Sequence, residues 1–203
     1  MKNKVRNIIG IIFILIGLTL LIYAFKGKWE TARMQDQLYD KFIAMNEEDM
    51  ELKEENKETK AEEYNYVDKV TPIAYMKVPK INLKVVVAEG TEQEIIKYAV
   101  GHFEETVLPG QVGNCAIAGH RNYDTGEFFL KLNKLEEGDD IIISTHEKSF
   151  TYKVTKTFVV GPEDTYILDP SEEAIVTLVT CTYDGKERLI VQGKLQDTEE
   201  LNN

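Results

Sequence analysis

Cys181 closes an apolar, strand-like run, Thr177-Leu178-Val179-Thr180-Cys181, and Arg188 follows seven residues later across Asp184-Gly185. Asp-Gly between two β-prone runs predicts a two-residue type I′ hairpin, because both central positions of that turn need φ > 0. In that register Tyr183 faces Lys186, Thr182 faces Glu187 and Cys181 faces Arg188. Directly opposed residues share a face of the sheet, with Cβ atoms roughly 5 Å apart. A thiol is then held beside a permanent cation, the setting that favours a nucleophilic thiolate. An inert hairpin would contain the same pair, so the rest of the chain has to decide.

A thiol nucleophile needs a base or ion-pair partner, and the chain has three histidines. His146 falls in the polar stretch His146-Glu147-Lys148-Ser149, an exposed turn between two strands. His102 follows Gly101 after a short helix, where capping or packing suits it better than catalysis. His120 ends the small-residue strand Ala116-Ile117-Ala118-Gly119 and precedes Arg121. The mouth of a strand, with Gly119 leaving room for a ligand, is where a functional imidazole is expected. The second cysteine, Cys115, lies within Asn114-Cys115-Ala116-Ile117-Ala118 and reads as a small core residue. That argues against a disulfide with Cys181, although an even cysteine count outside a cell invites one.

The elements that must position these residues are mostly strands. From about Tyr64 to Leu195 the chain is β-rich, with candidate strands at Ile73–Val78, Leu83–Val87, Asn114–Ala118, Asp140–Thr145, Phe150–Val160, Ala174–Thr182 and Glu187–Leu195. Pro79, Gly90, Pro109-Gly110, Gly138-Asp139 and Gly161-Pro162 separate them. Helical stretches are expected at Glu92–Ala99 and about Glu127–Leu135, the second with Phe128, Leu132 and Leu135 on one face. Many short strands with so little helix imply an all-β, closed or nearly closed barrel, which also removes exposed sheet edges.

An appendage precedes the barrel. Ile8 to Phe25 is an 18-residue run without charge, long enough to span a membrane. Lys2, Lys4 and Arg6 before it mildly favour an N-in, C-out orientation. The run is long for a signal-peptide core and lacks a polar cleavage region, so it reads as an uncleaved signal anchor in preference to a cleaved signal peptide. Trp29 is expected at the lipid–water interface. Leu38, Phe42 and Met45 carry partial helical spacing, so a juxtamembrane helix is expected to open the stalk. Asn46 to Glu63 holds nine Asp/Glu against three Lys, the composition of a solvated helix or a disordered stalk. The resulting division is a cytoplasmic N-terminus at 1–7, a signal anchor at 8–25, a charged stalk at 26–63 and a catalytic domain at 64–203. A net charge of −11, with no Lys/Arg cluster bearing interleaved aromatics, excludes a generally basic nucleic-acid binder.

Ala118-Gly119-His120-Arg121, then Cys181 61 residues after His120 at the end of Thr177-Leu178-Val179-Thr180, with Arg188 beyond, resembles a sortase. Val78-Pro79-Lys80-Ile81-Asn82-Leu83, Glu89-Gly90-Thr91, Gly101-His102-Phe103 and Leu108-Pro109-Gly110-Gln111 extend the likeness over most of the globular part. Sortases are membrane-anchored cysteine transpeptidases of Gram-positive bacteria built on an eight-stranded β-barrel. The resemblance implies that His120, Cys181 and Arg188 are catalytic. Cys181 would attack the Thr–Gly carbonyl of an LPxTG-like sorting signal, and His120 would protonate the leaving amine. An amine of a peptidoglycan precursor or the cell wall would then resolve the thioacyl enzyme. Arg188 would orient the substrate and stabilise the oxyanion, and Thr180 would help shape the substrate-binding pocket. With ordinary pKa values near 8.5 and 6.5, independent titration leaves roughly 1% of molecules as thiolate plus imidazolium at pH 7, which implies a slow enzyme.

The short Cys–Arg connection and compact Val159–Ala174 segment resemble class D or class A-like sortases. Class B enzymes carry a longer helical insertion before the cysteine strand. Class C enzymes place an Asp-Pro-aromatic lid upstream and add a C-terminal span; Asp169-Pro170-Ser171 stands in the wrong place for that lid. Anchoring surface proteins to peptidoglycan is therefore the expected role, rather than building pili. No cofactor is expected: the loop acids Glu104, Glu105, Glu163, Asp164 and Asp169 lack the spacing of a calcium loop. Two other readings stand beside this one, a cell-wall cysteine peptidase or amidase and a tethered barrel that only binds.

Overall fold

The structure is a computed structural model that describes residues 2–45, 66–121 and 127–201. The acidic stretch read as a stalk, Asn46 to Glu63, lies outside the described residues.

Helix α1 runs without a break over Lys2–Ala44, joining the apolar run to a segment that packs on the rest of the molecule. Its first half is apolar enough to cross a membrane, with nothing packed around that stretch. Its second half behaves differently from a solvated juxtamembrane segment. Leu38 and Phe42 are buried, and Phe42 stacks on His146 with ring centroids 4.1 Å apart. The Gln35 side chain takes the Val86 N–H at 2.9 Å and donates to the Tyr98 carbonyl. Lys41 Nζ donates to the carbonyls of Val67 and Val70, each at 2.8 Å. His146 is therefore half-buried against α1 instead of standing free in an exposed turn. The sequence hides this because its partner lies far upstream on another element.

After the short helix α2 (Tyr66–Lys69) come strands β1 (Pro72–Val78) and β2 (Leu83–Glu89), one-turn helix α3 (Gln93–Ile96), and strands β3 (Val100–His102) and β4 (Gly113–Ala118). Strands β5 (Asp140–Ser144), β6 (Lys148–Val160), β7 (Ala174–Cys181) and β8 (Arg188–Glu200) complete a closed barrel in the order β1-β2-β3-β4-β7-β8-β6-β5. The pairs β2/β3 and β4/β7 are parallel and the others antiparallel. Seven strands coincide with the sequence reading. The eighth, β3, has three residues and was legible only as part of a Gly-His motif. Expected helix Glu92–Ala99 shrinks to α3, and expected helix Glu127–Leu135 is a set of turns ending in a 3-10 turn at Leu132–Lys134. Phe128, Phe129, Leu130, Leu132 and Leu135 are all buried there. One helical face cannot bury three consecutive residues, so the chain coils to turn each inward.

Burial patterns follow the layers. β1 and β5 alternate, with Met76, Val78, Ile141 and Ile143 inside. β4 and β7 read as nearly continuous buried runs, Gly113–Ile117 and Val176–Thr180, as expected of strands covered on both faces. The outer cover over β7 and β8 joins Val179 and Ile190 to Val160 and Ile167. Over β2 it joins Val86 and Ala88 to Leu38, Tyr66 and Val70. The two strands that end at His120 and Cys181 are thereby among the most firmly packed in the barrel.

Candidate active site

Parallel pairing of β4 with β7 keeps one offset throughout, from Gly113↔Ala174 to Ala118↔Val179. That offset of 61 residues, carried two steps further, sets His120 beside Cys181 at the carboxyl ends of neighbouring strands. Adjacent strands run about 4.8 Å apart, so this extension of the register places the two residues side by side. The spacing read from the sequence is thus a strand register. The Gly119 N–H continues the ladder to Val179 O at 3.0 Å. The Thr180 hydroxyl crosses back to Gly119 O at 2.7 Å.

Cys181 also pairs with Arg188 across the β7–β8 hairpin, as expected. The turn is of another kind. Thr182 N–H donates to Glu187 O at 2.9 Å and Gly185 N–H donates to Thr182 O at 3.0 Å. Gly185 has φ +74 while Asp184 keeps a negative φ, so the connection is a type I turn followed by a left-handed glycine. Two-residue and four-residue loops centred on the same point give one register, which is why the pairing survives a wrong turn type. Asp184 Oδ1 accepts from Thr182 Oγ1 at 2.8 Å, and its carboxyl is held below the usual range by that bond first. The Arg188 guanidinium lies on its own hairpin, donating to Glu187 O at 3.2 Å and Gly185 O at 3.5 Å.

Cys181, His120 and Arg188 are all half-buried, open to an incoming molecule yet partly shielded from water. For His120 that burial lowers the pKa below the ordinary histidine value. Thr180 is buried, 3% exposed, and its hydroxyl is committed to Gly119. Any shaping of a pocket by Thr180 therefore passes through the backbone and not through a direct substrate contact. Gly119 also departs from its expected role. A Cβ there would meet the Phe129 ring at 2.7 Å and Val100 Cγ1 at 2.9 Å, so the glycine makes room for Phe129 and not for a ligand. Phe129 N–H in turn donates to His120 O at 3.2 Å.

The remaining candidates separate cleanly. His102 is 1% exposed, its Nδ1 2.9 Å from Glu89 Oε1 and its Nε2 3.0 Å from Val107 O. Cys115 is buried and burial pushes its thiol up to about 12; both cysteines are free. Glu104, Glu105, Glu163, Asp164 and Asp169 do not gather: among the described residues no group of three or more His, Cys, Asp or Glu could hold a metal ion. One residue escaped the sequence reading. Arg121 Nη1 reaches Cys181 O at 3.4 Å and its Nη2 reaches Asn133 Oδ1 at 3.2 Å. Its adjacency to His120 was the only available signal. A cavity of about 570 Å³ lies away from Cys181, between α1 and the barrel, with Lys28, Gln35, Tyr75 and Glu127 in its lining.

Comparison with known proteins agrees with this geometry. Residues 76–196, more than half of the chain, match the family described as the Sortase domain. Sortase SrtE1 of Streptomyces coelicolor is 36% identical over 140 residues, which cover 60% of this chain and 40% of that protein. Sortase D of Bacillus subtilis is 30% identical over 125 residues, covering 59% of this chain and 61% of that one. The chain thus spans about two fifths to three fifths of the length of these relatives. Among solved structures, a Clostridium perfringens Sortase D5 transpeptidase superposes with a TM-score of 0.63 at 33% identity, over 82% of this chain and 98% of that one. Sortase A of Listeria monocytogenes superposes with a TM-score of 0.62 at 25% identity, over 66% of this chain and 92% of that one. A closed eight-stranded barrel, a histidine and a cysteine at neighbouring strand ends, and the match over residues 76–196 lead to one conclusion: this chain belongs to the sortase family.

Proposed function

We propose that the protein is a membrane-anchored cysteine transpeptidase that cleaves an LPxTG-like sorting signal between Thr and Gly and passes the acyl fragment to a cell-wall amine. The observation that carries this reading is the β4–β7 register, which supports a working pair of His120 and Cys181 with Arg188 opposite the thiol. Cys181 Sγ attacks the scissile carbonyl, and the resulting oxyanion is met by the Arg188 guanidinium. That step requires Arg188 to leave the hairpin carbonyls on which it rests. His120 delivers its proton to the leaving amine, the C–N bond breaks and a thioester remains. An incoming amine gives its proton back to His120 and displaces Cys181.

Partial burial of His120 disfavours the imidazolium that must protonate the leaving amine. Slow turnover follows. The apolar run 8–25 anchors the chain in the membrane lipid with the barrel at the cell surface, where sorting signals and peptidoglycan precursors meet it. The short Cys181–Arg188 connection and the compact 159–174 segment, which resemble class D or class A-like enzymes, favour surface-protein anchoring over pilus building.

The test uses the full chain in detergent, a library of LPxTG-like peptides and mass spectrometry of the intact protein. A thioacyl adduct on Cys181 that converts to an amide when an amine is added is the expected result. Absence of an adduct with every peptide would sink the reading. Release of free acid alone at saturating amine would assign a hydrolase instead.

A further inference from the structure

We propose that Arg121 is a positioning residue that holds Cys181 in line with His120. The main-chain ladder between β4 and β7 ends at Ala118↔Val179, short of both reacting groups. Beyond it β7 is still held by β8 at Cys181↔Arg188, but its pairing with β4 has ended. Two side chains take over where the ladder stops. Thr180 Oγ1 donates to Gly119 O at 2.7 Å, just before the pair. Arg121 Nη1 donates to Cys181 O at 3.4 Å, just after it. His120 and Cys181 thus sit between two ties that cross from β7 to β4 in opposite directions.

Arg121 is itself held from the far side. Its Nη2 donates to Asn133 Oδ1 at 3.2 Å, within the 3-10 turn Leu132–Lys134 whose Leu132 is fully buried. Its Nε is shut away from solvent and has no acceptor. A buried donor left open costs free energy, and a methionine or lysine could fill the space without an open Nε–H. The planar fork meets the strand carbonyl and the turn amide with two separate nitrogens in a fixed geometry, where a lysine would have to reach both from one. The position therefore exploits the fork's shape and not only its charge. This inference rests on the transfer reading for its kinetics but not for its geometry.

The experiment compares Arg121→Lys, Arg121→Met and Asn133→Ala in the full chain, with melting temperatures to normalise for folded protein. Both Arg121 variants are expected to lower kcat roughly tenfold or more while KM stays within about twofold, as misaligned reacting groups do. Asn133→Ala is expected to give a smaller loss in the same direction. Wild-type kcat in Arg121→Lys would show that charge alone suffices and overturn the proposal, as would a loss matched by unfolding. A second measurement needs no peptide. The effect of His120→Ala on Cys181 alkylation by iodoacetamide reports the coupling of the two groups, and buried Cys115 stays silent. That effect is expected to shrink toward none in the Arg121→Met background. An undiminished effect there, or no effect in the wild type, overturns the proposal. Intact coupling with no peptide turnover would leave the positioning role standing and retire the transferase reading.

Discussion

Two Cys/His sets in the barrel differ in how far the fold closes over them. Cys115 in β4 and His102 at the end of β3 are sealed from solvent, with His102 paired to Ile117. Cys181 and His120 sit where β7 ends and just beyond β4. Inside, each polar atom is spoken for: His102 by Glu89, Thr106 and Val107, while Cys115 is locked as a neutral thiol. At the rim the same residue types are half-open, at positions just past the last β4–β7 pair. The same residue types thus differ in access, sealed at Cys115 and His102 and half-open at Cys181 and His120.

The comparison breaks most visibly at the cysteines. Cys181→Ala is expected to lower acyl transfer by more than about a thousandfold, as loss of a nucleophile does. Cys115→Ala should leave kcat/KM within about twofold and cost about 1 kcal/mol of stability, the scale of a small core deletion. Peptide turnover and chemical denaturation together would reveal any exchange of roles. The histidines come next. His120→Ala should cost about a hundredfold or more in kcat/KM, the usual scale of an acid–base residue, with little change in melting temperature. His102→Ala should do the reverse, leaving Glu89 and the Val107 carbonyl underbonded at a cost of about 2 kcal/mol. A catalytic defect in His102→Ala that survives correction for folded protein would contradict the division.

Smallest of the three is a pH effect that sharpens the rim's character. With the native His120 pKa lowered by burial, the unfolded chain takes up a proton near pH 6.5 that the folded chain resists. Stability from this residue is therefore present above about pH 6.5 and declines as the pH falls toward the lowered native value. Titration of the His120 ring by NMR should give a midpoint below that of an exposed histidine; a midpoint at or above 6.5 would remove the effect.

These contrasts also mark what the chain reveals on its own. Alternation in β1 and β5, and the continuous apolar runs of β4 and β7, are local patterns, so those strands could be read directly. The 61-residue spacing of His120 and Cys181 was visible but became meaningful only as a parallel register. Strand β3 was too short to carry a period. The Asp184-Gly185 signal was sound for the register and wrong for the turn, because a left-handed Gly185 serves both loop lengths. Gly119 was read as space for a ligand because Phe129, its actual occupant, is contributed by a segment returning from beyond the loop. Arg121, Thr180 and the docking of α1 depend on contacts between distant elements, which no local pattern encodes.

The unbroken course of α1 has a consequence for how the Cys181 rim is presented. Between Phe25, the last residue of the apolar run, and Gln35, which grips the barrel at Val86, the helix advances about 15 Å at 1.5 Å per residue. Each residue also turns it by about 100°. For a chain anchored as proposed, this count fixes both the altitude of the Cys181 rim above the lipid and the compass direction it faces. A hinged tether would let the rim sweep a hemisphere in search of sorting signals. Under the proposed function, sorting signals would have to arrive at one height and from one side.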